Sequence, residues 1–289
     1  MRANNGKWQE KIGFLLFRLA MLFVVFVVFY IIYDIFSKGV SSINWQFLTD
    51  RPREGMTAGG IFPAIIGTAY LTIITTLVSV PLGVGAAIFL NEYSKENFLT
   101  RLIRMALRNL AGVPSIVFGL FGVAFFIQYL GLRPSLLAAG LTMGILTLPV
   151  TVTASEEALK TVPAAFRQGA LALGASPWQM IRSIVLPQAL PGMLTGAILG
   201  LARAAGETAP ILFTGAAFFL PFLPSSVHSQ FMALPYHLYI LATQHHAISR
   251  VRPLAYGTAL VLLLLVVVLN GAAIFLRSYY RNKMRRGGI

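Results

Sequence analysis

Charge-free apolar stretches, separated by short clusters of lysine and arginine, run through most of the 289-residue chain. A membrane-crossing helix needs about 20 apolar residues, and on that measure the pattern predicts six spans, at 12–36, 63–90, 110–132, 134–155, 188–219 and 254–276. The first has the basic flank and apolar run of a signal peptide. However, Asp34-Ile35-Phe36-Ser37 offers no small-residue cleavage site, so it reads as a retained span. In the second, Pro81 predicts a kink, while Gly83 and Gly85 allow a neighbouring helix to come close. After it, Arg101, Arg104 and Arg108 repeat at helical spacing, with Leu99, Leu102, Ile103 and Leu110 largely off their face. That arrangement suits a helix lying along the lipid surface. The fifth span is interrupted only by Arg203 and Glu207.

Composition turns this pattern into a class. With 57% hydrophobic and 11% charged residues and a mean hydropathy of +0.75, the chain is far from the roughly 25% charged content of soluble domains. The expectation is one all-α, polytopic membrane domain over residues 1–289, a six-span helical bundle. A net charge of +14 does not point to nucleic acid, because the basic residues flank apolar spans and form no tract interleaved with aromatics. Fifteen lysines and arginines fall at the termini and in the 92–109 and 156–182 loops, against six in the other loops, which puts both termini in the cytoplasm. With no cysteine, thiolate chemistry, disulfides and cysteine metal sites are excluded. All four histidines, His228, His237, His245 and His246, fall in the outer segment between spans five and six. They lack ligand spacing and a nearby carboxylate, so they read as solvated loop residues and no metal is expected.

Residues 163–187 form a cytoplasmic helical hairpin. Pro163 suits a first helical position, and Gly174 a left-handed cap before Ala175. Ser176 restarts the helix as its N-cap, with Pro177 first and Gln179 completing a capping box. The second helix is expected to end at Pro187. Beyond it, Gly192, Gly196, Gly200, Arg203 and Glu207 fall within a stripe of about 80° at 100° per residue. The glycines predict close helix packing. The charges should face a protein interior or an aqueous path, since a charged side chain at a span's centre costs about 2.5–3.5 kcal/mol on insertion scales. Two readings stay open. Arg203 and Glu207, four apart, neutralise each other, or Arg203 receives an anion, its guanidinium being suited to phosphate oxygens.

The hairpin resembles the cytoplasmic loop of ABC-importer permeases, which follows E-A-A, three residues, Gly, nine residues, I-x-L-P. Ala170, Gly174, Ile184, Leu186 and Pro187 match at those spacings; Gln168 and Gly169 replace the family's glutamate and alanine. The resemblance implies docking on a separate ATPase through this loop, with Gln168 offering a hydrogen bond and Arg167 the nearest group for an ion pair. Arg203-Ala-Ala-Gly-Glu-Thr-Ala-Pro210, Val113-Pro-Ser-Ile-Val-Phe-Gly-Leu120 and Ala233-Leu-Pro-Tyr-His237 are similar to the phosphate-importer permeases of the PstA type, from about Gly60 onward. That resemblance implies a bacterial inner-membrane protein partnered by a homologous permease (PstC), an ATPase dimer (PstB) and an external phosphate-binding protein (PstS). ATP and magnesium would sit on the ATPase. No G-x-x-x-x-G-K-[ST], H-E-x-x-H or G-x-S-x-G occurs here, so no catalytic residue and no cofactor is expected in this chain. Two alternatives remain: a permease for another anion, and an ion-coupled secondary transporter using Glu207.

Overall fold

The computed structural model describes residues 3–286. Outside the described residues lie positions 1–2 and 287–289 and the side chains of 3–9, 280, 281 and 283–286, and with them Arg2, Lys7, Arg281, Lys283, Arg285 and Arg286 of the charge count above. A long first helix, α1 (Ala3–Gly39), is followed by α2 (Trp45–Thr49) and a small antiparallel hairpin, β1 (Pro52–Arg53) with β2 (Ala58–Gly59). Then come α3 (Phe62–Ile88), continued by a π-helical turn Phe89–Tyr93, and α4 (Phe98–Ala111). After α4 stands α5 (Ser115–Gly122), with its π-helical extension Val123–Tyr129, and then α6 (Leu136–Lys160).

Among the described residues, five helices are long and apolar enough to cross a membrane, and a sixth is obtained if α4 and the 115–129 helix count as one span bent by 105°. The expected third span, 110–132, is therefore shorter than the pattern suggests. Gly112 closes α4, and Pro114 (φ −56°, ψ 139°) precedes α5 in an extended conformation that cannot continue a helix. The fourth runs further than its charge-free window, because Glu156 near its end is paired with Arg104 of α4 at 2.9 Å.

Five elements complete the chain: α7 (Ala164–Ala172), α8 (Pro177–Met180), α9 (Leu186–Gly206), α10 (Ala209–Thr214) and α11 (Leu234–Tyr239). They are followed by a π-helical turn Ile240–Gln244 and the long α12 (Ile248–Arg286). The expected continuous span 188–219 is corrected here. The helix stops at Gly206, Glu207 is extended (φ −77°, ψ 137°), and only the six-residue α10 follows before irregular chain.

Of the five long runs, α6 is the most deeply buried, and small residues explain why. In lipid, helices gain little from excluding water and associate by close van der Waals packing. A Cβ on Gly144 would lie 2.6 Å from the Val78 side chain of α3, and one on Gly83 would lie 2.7 Å from Thr151 of α6. On the opposite face a Cβ on Gly192 would lie 2.6 Å from the Ala158 methyl, and Gly196 rests on Ala154. Glycine thus lets α3 and α9 close on α6 from both sides. The threonines in these contacts are satisfied without water: Thr72, Thr147 and Thr151 donate to carbonyls one turn back. By contrast, α1 is exposed along its apolar run and meets the rest of the chain beside Tyr256 of α12.

Candidate functional site

The helical hairpin forms as the capping signals predict. Gly174 adopts φ +82°, a left-handed conformation open to glycine without strain. Ser176 accepts from the Gln179 amide at 3.3 Å while the Gln179 side chain accepts from the Ser176 amide at 2.8 Å, so the capping box is complete. The expected stop at Pro187 is corrected: α8 passes through one π-helical turn, Ile181–Val185, directly into α9, giving an unbroken helix from Pro177 to Gly206. The π turn absorbs the missing proline N–H, since the Leu186 amide bonds to Ile181 O, five residues back.

One face of the hairpin is fixed inside. Ala170, Met180, Ile181 and Val185 are buried in a cluster with Val152, Leu159 and Val162, and Ile184, Ala175 and Leu186 pack at its edge. The other face is bare: Leu173 is 90% exposed, and Phe166, Leu171 and Trp178 are exposed beside it. Gln168 is exposed too. Arg167 is not free for a partner, contrary to the expectation above, because its guanidinium clasps Glu92 at 2.7 and 3.1 Å.

The glycine stripe divides. Gly196 and Gly200 are buried against α6, whereas Arg203 lies at the stripe's edge with its side chain 42% exposed, three residues before the helix ends. Arg203 Nε and Glu207 Oε1 are 3.5 Å apart, and Glu207 is 20% exposed. The contact is single and long, and among the described residues no other polar partner is found for the guanidinium. Its Nη groups remain available to an anion. Neutralisation by Glu207 and availability for a ligand are therefore combined in one geometry.

The motifs that are far apart in sequence meet here. Gly119 of α5 lies against the α10 start: a Cβ there would be 3.1 Å from Pro210 Cα and 2.9 Å from the Phe213 ring. This puts the Val113–Leu120 stretch directly behind the Arg203–Pro210 stretch. The Ala233–His237 stretch seats on α3, where Leu234 N donates to Thr68 Oγ1 at 2.8 Å and Gly67 leaves room for Met232 O. The intervening loop caps α6, with Leu136 N and Leu137 N donating to Ser229 O and Val227 O at 2.9 and 2.8 Å.

Two of the four histidines are not solvated, which corrects the sequence reading. His245 is buried, with Nε2 2.7 Å from Gly55 O and Nδ1 accepting from the Ala247 amide at 3.1 Å. His237, outside the candidate spans, is buried with no partner for Nδ1. Burial first, and the neighbouring His245 second, push its pKa down to about 4. In the unfolded chain it titrates near 6.5, so acid favours unfolding. Its contribution is intact above about pH 6.5 and is lost as the pH falls, reaching about 3 kcal/mol by pH 4. His237→Gln should flatten the thermal-stability profile between pH 6.5 and 4; an unchanged slope would show that another group sets it. No cluster of metal-ligating residues occurs among the described residues.

Sequence reasoning overlooked Glu92, Glu156 and Arg104, which hold the hairpin end together. The available signal was scarcity: the chain has nine carboxylate side chains, and these two stand at the ends of apolar runs.

Comparison with known proteins places these features in a family. Residues 79–286 match the family described as binding-protein-dependent transport system inner membrane component. The probable ABC transporter permease protein YqgI of Bacillus subtilis is 31% identical over 97% of this chain and 99% of its own length. The phosphate transport system permease protein PstA of Xylella fastidiosa is 34% identical over 91% of each chain, and PstA 1 of Mycobacterium tuberculosis 36% over 79% and 73%. Among solved structures, a chain of a bacterial alginate ABC transporter aligns with TM-score 0.63 at 13% identity over 96% of this chain and 97% of that one. An inward-facing MetNI methionine ABC transporter chain aligns with TM-score 0.60 at 17% identity, over 75% and 94%.

Proposed function

This chain belongs to the family of binding-protein-dependent transport system inner membrane components, and from that premise we propose that it is the permease subunit of an ATP-driven importer of inorganic phosphate. Its role is translocation, with no covalent chemistry of its own. It forms half of the pathway with a homologous permease of the PstC kind, receives phosphate from a PstS-like external binding protein, and docks its hairpin on a PstB-like ATPase dimer that binds ATP and magnesium. The termini and hairpin are then cytoplasmic, and the protein lies in the bacterial inner membrane.

The observation that carries this reading is Arg203: a half-exposed guanidinium with free Nη groups, at the end of a helix continuous with the hairpin. Pro177 to Arg203 spans about 39 Å of ideal helix, so displacement at one end reaches the other without a hinge. Arg203 receives phosphate oxygens, releasing its weak contact with Glu207. Glu207 then accepts a hydrogen bond from a protonated phosphate oxygen, which fully ionised sulfate does not offer. The likeness to the PstA proteins supports phosphate as the solute.

The test is reconstitution of the chain with its co-purifying permease and ATPase in vesicles. ATP-dependent phosphate accumulation is expected, competed by arsenate and not by sulfate. Uptake by this chain alone without ATP would overturn the proposal in favour of a Glu207-based carrier.

A further inference from the structure

The guanidinium of Arg167 is bound on three sides by the protein itself. Nε and Nη2 donate to the two Glu92 oxygens at 3.1 and 2.7 Å, Nη1 to Val162 O at 2.6 Å, and Nη2 also to Leu159 O at 2.9 Å. Glu92, its side chain only 4% exposed, sits in the π turn that ends α3. Leu159 and Val162 present carbonyls at the α6 terminus, where the helix has no donors left for them. One side chain on α7 therefore ties the hairpin to the ends of two other helices. These same ends are joined a second time from α4, where Arg104 pairs with Glu156 at 2.9 Å and donates to Leu90 O at 2.9 Å.

The hairpin thus has two mechanical routes into the bundle. One is covalent, through the π turn into α9. We infer that Arg167 and Glu92 are positioning residues supplying the other, making the hairpin and the neighbouring ends of α3 and α6 one rigid body, so that displacement of the hairpin moves α3, α6 and α9 together. Guanidinium suits this because its planar fork holds direction as well as charge. A desolvated pair also has no strong competitor in water, so the connection does not loosen when the hairpin is loaded. The inference rests on the proposed coupling of this hairpin to an ATPase.

The chain contains no cysteine, so the pair Glu92→Cys and Arg167→Cys can be joined selectively by a bifunctional thiol reagent of arginine–carboxylate length. The complex should otherwise be cysteine-free. Cross-linking is expected to proceed equally fast in nucleotide-free and ATP–vanadate-trapped complexes. A severalfold change between the two states would overturn the rigid body, and this readout does not depend on which solute is carried. Unlinked, the double variant should move at least about tenfold less phosphate per ATP hydrolysed than the unaltered complex, as expected for loss of a buried charge pair, and linking should restore the ratio. A cross-link that itself blocks transport overturns the inference. If the double variant fails to assemble, Glu92→Gln keeps the shape and loses the charge; an unaltered ratio in that variant would refute the role. Failure of the phosphate reading appears differently, as absence of phosphate-stimulated ATP hydrolysis in the unaltered complex.

Discussion

Replacing Arg203 by glutamine is expected to reduce phosphate uptake by about 10- to 100-fold while the complex still assembles, since a charge-assisted hydrogen bond contributes about 1.5–3 kcal/mol and each 1.4 kcal/mol is tenfold. Assembly should survive because the side chain is 42% exposed and its single internal contact is 3.5 Å long. The helix beneath it is held elsewhere, by Gly192 and Gly196 on Ala158 and Ala154 of α6. Glutamine keeps two donors but loses the charge and the fork, so the deficit reads the anion interaction and not packing. Radiolabelled phosphate uptake beside the yield of co-purified subunits separates the two. Uptake at the unaltered rate would mean that Arg203 and Glu207 serve only each other.

Leu173→Asp is expected to abolish co-purification of the ATPase while leaving the permease stable. Leu173 is 90% exposed at the turn that Gly174 closes, and its side chain contributes next to nothing to the fold of this chain. Beside exposed Phe166, Leu171 and Trp178 it forms an apolar surface on a hairpin whose other face is packed. Truncating a central apolar anchor of an interface costs about 2 kcal/mol or more, and a carboxylate in an apolar groove adds its own desolvation. The expected loss therefore exceeds about thirtyfold in association. The measurements are ATPase recovery with the purified permease and the melting temperature of the permease alone. Retained binding would remove this surface from the dock.

The two predictions differ in how far they were legible in the sequence. Ser176, Pro177 and Gln179 carry a local capping signal, and the capping box formed as read, because its bonds join residues three apart. The glycines at 192 and 196 were readable as a packing face for the same reason: helical periodicity is local. The end of the fifth span was not readable. Glu207, Thr208 and Ala209 continue an apolar pattern, yet the chain turns there because Pro210 and Phe213 find their place against Gly119 of α5. His237 likewise belongs to a polar-looking loop and is buried only because the Met232–Leu234 segment fits the hollow left by Gly67 on α3. Neither contact has any signature in the spacing of residues along the chain.

Membrane insertion, the helical class, the hairpin and the exposed guanidinium near a helix end follow from composition, periodicity and capping, since each depends on the solvent or on residues within a turn or two. The continuity of α8 with α9, the partnership of Arg167 with Glu92 and of Arg104 with Glu156, and the division of the glycine stripe depend on which helix ends come together in space. Arg167 and Glu92 lie 75 positions apart, and a guanidinium chooses its carboxylate by distance and desolvation, quantities that exist only once α3, α6 and α7 are packed.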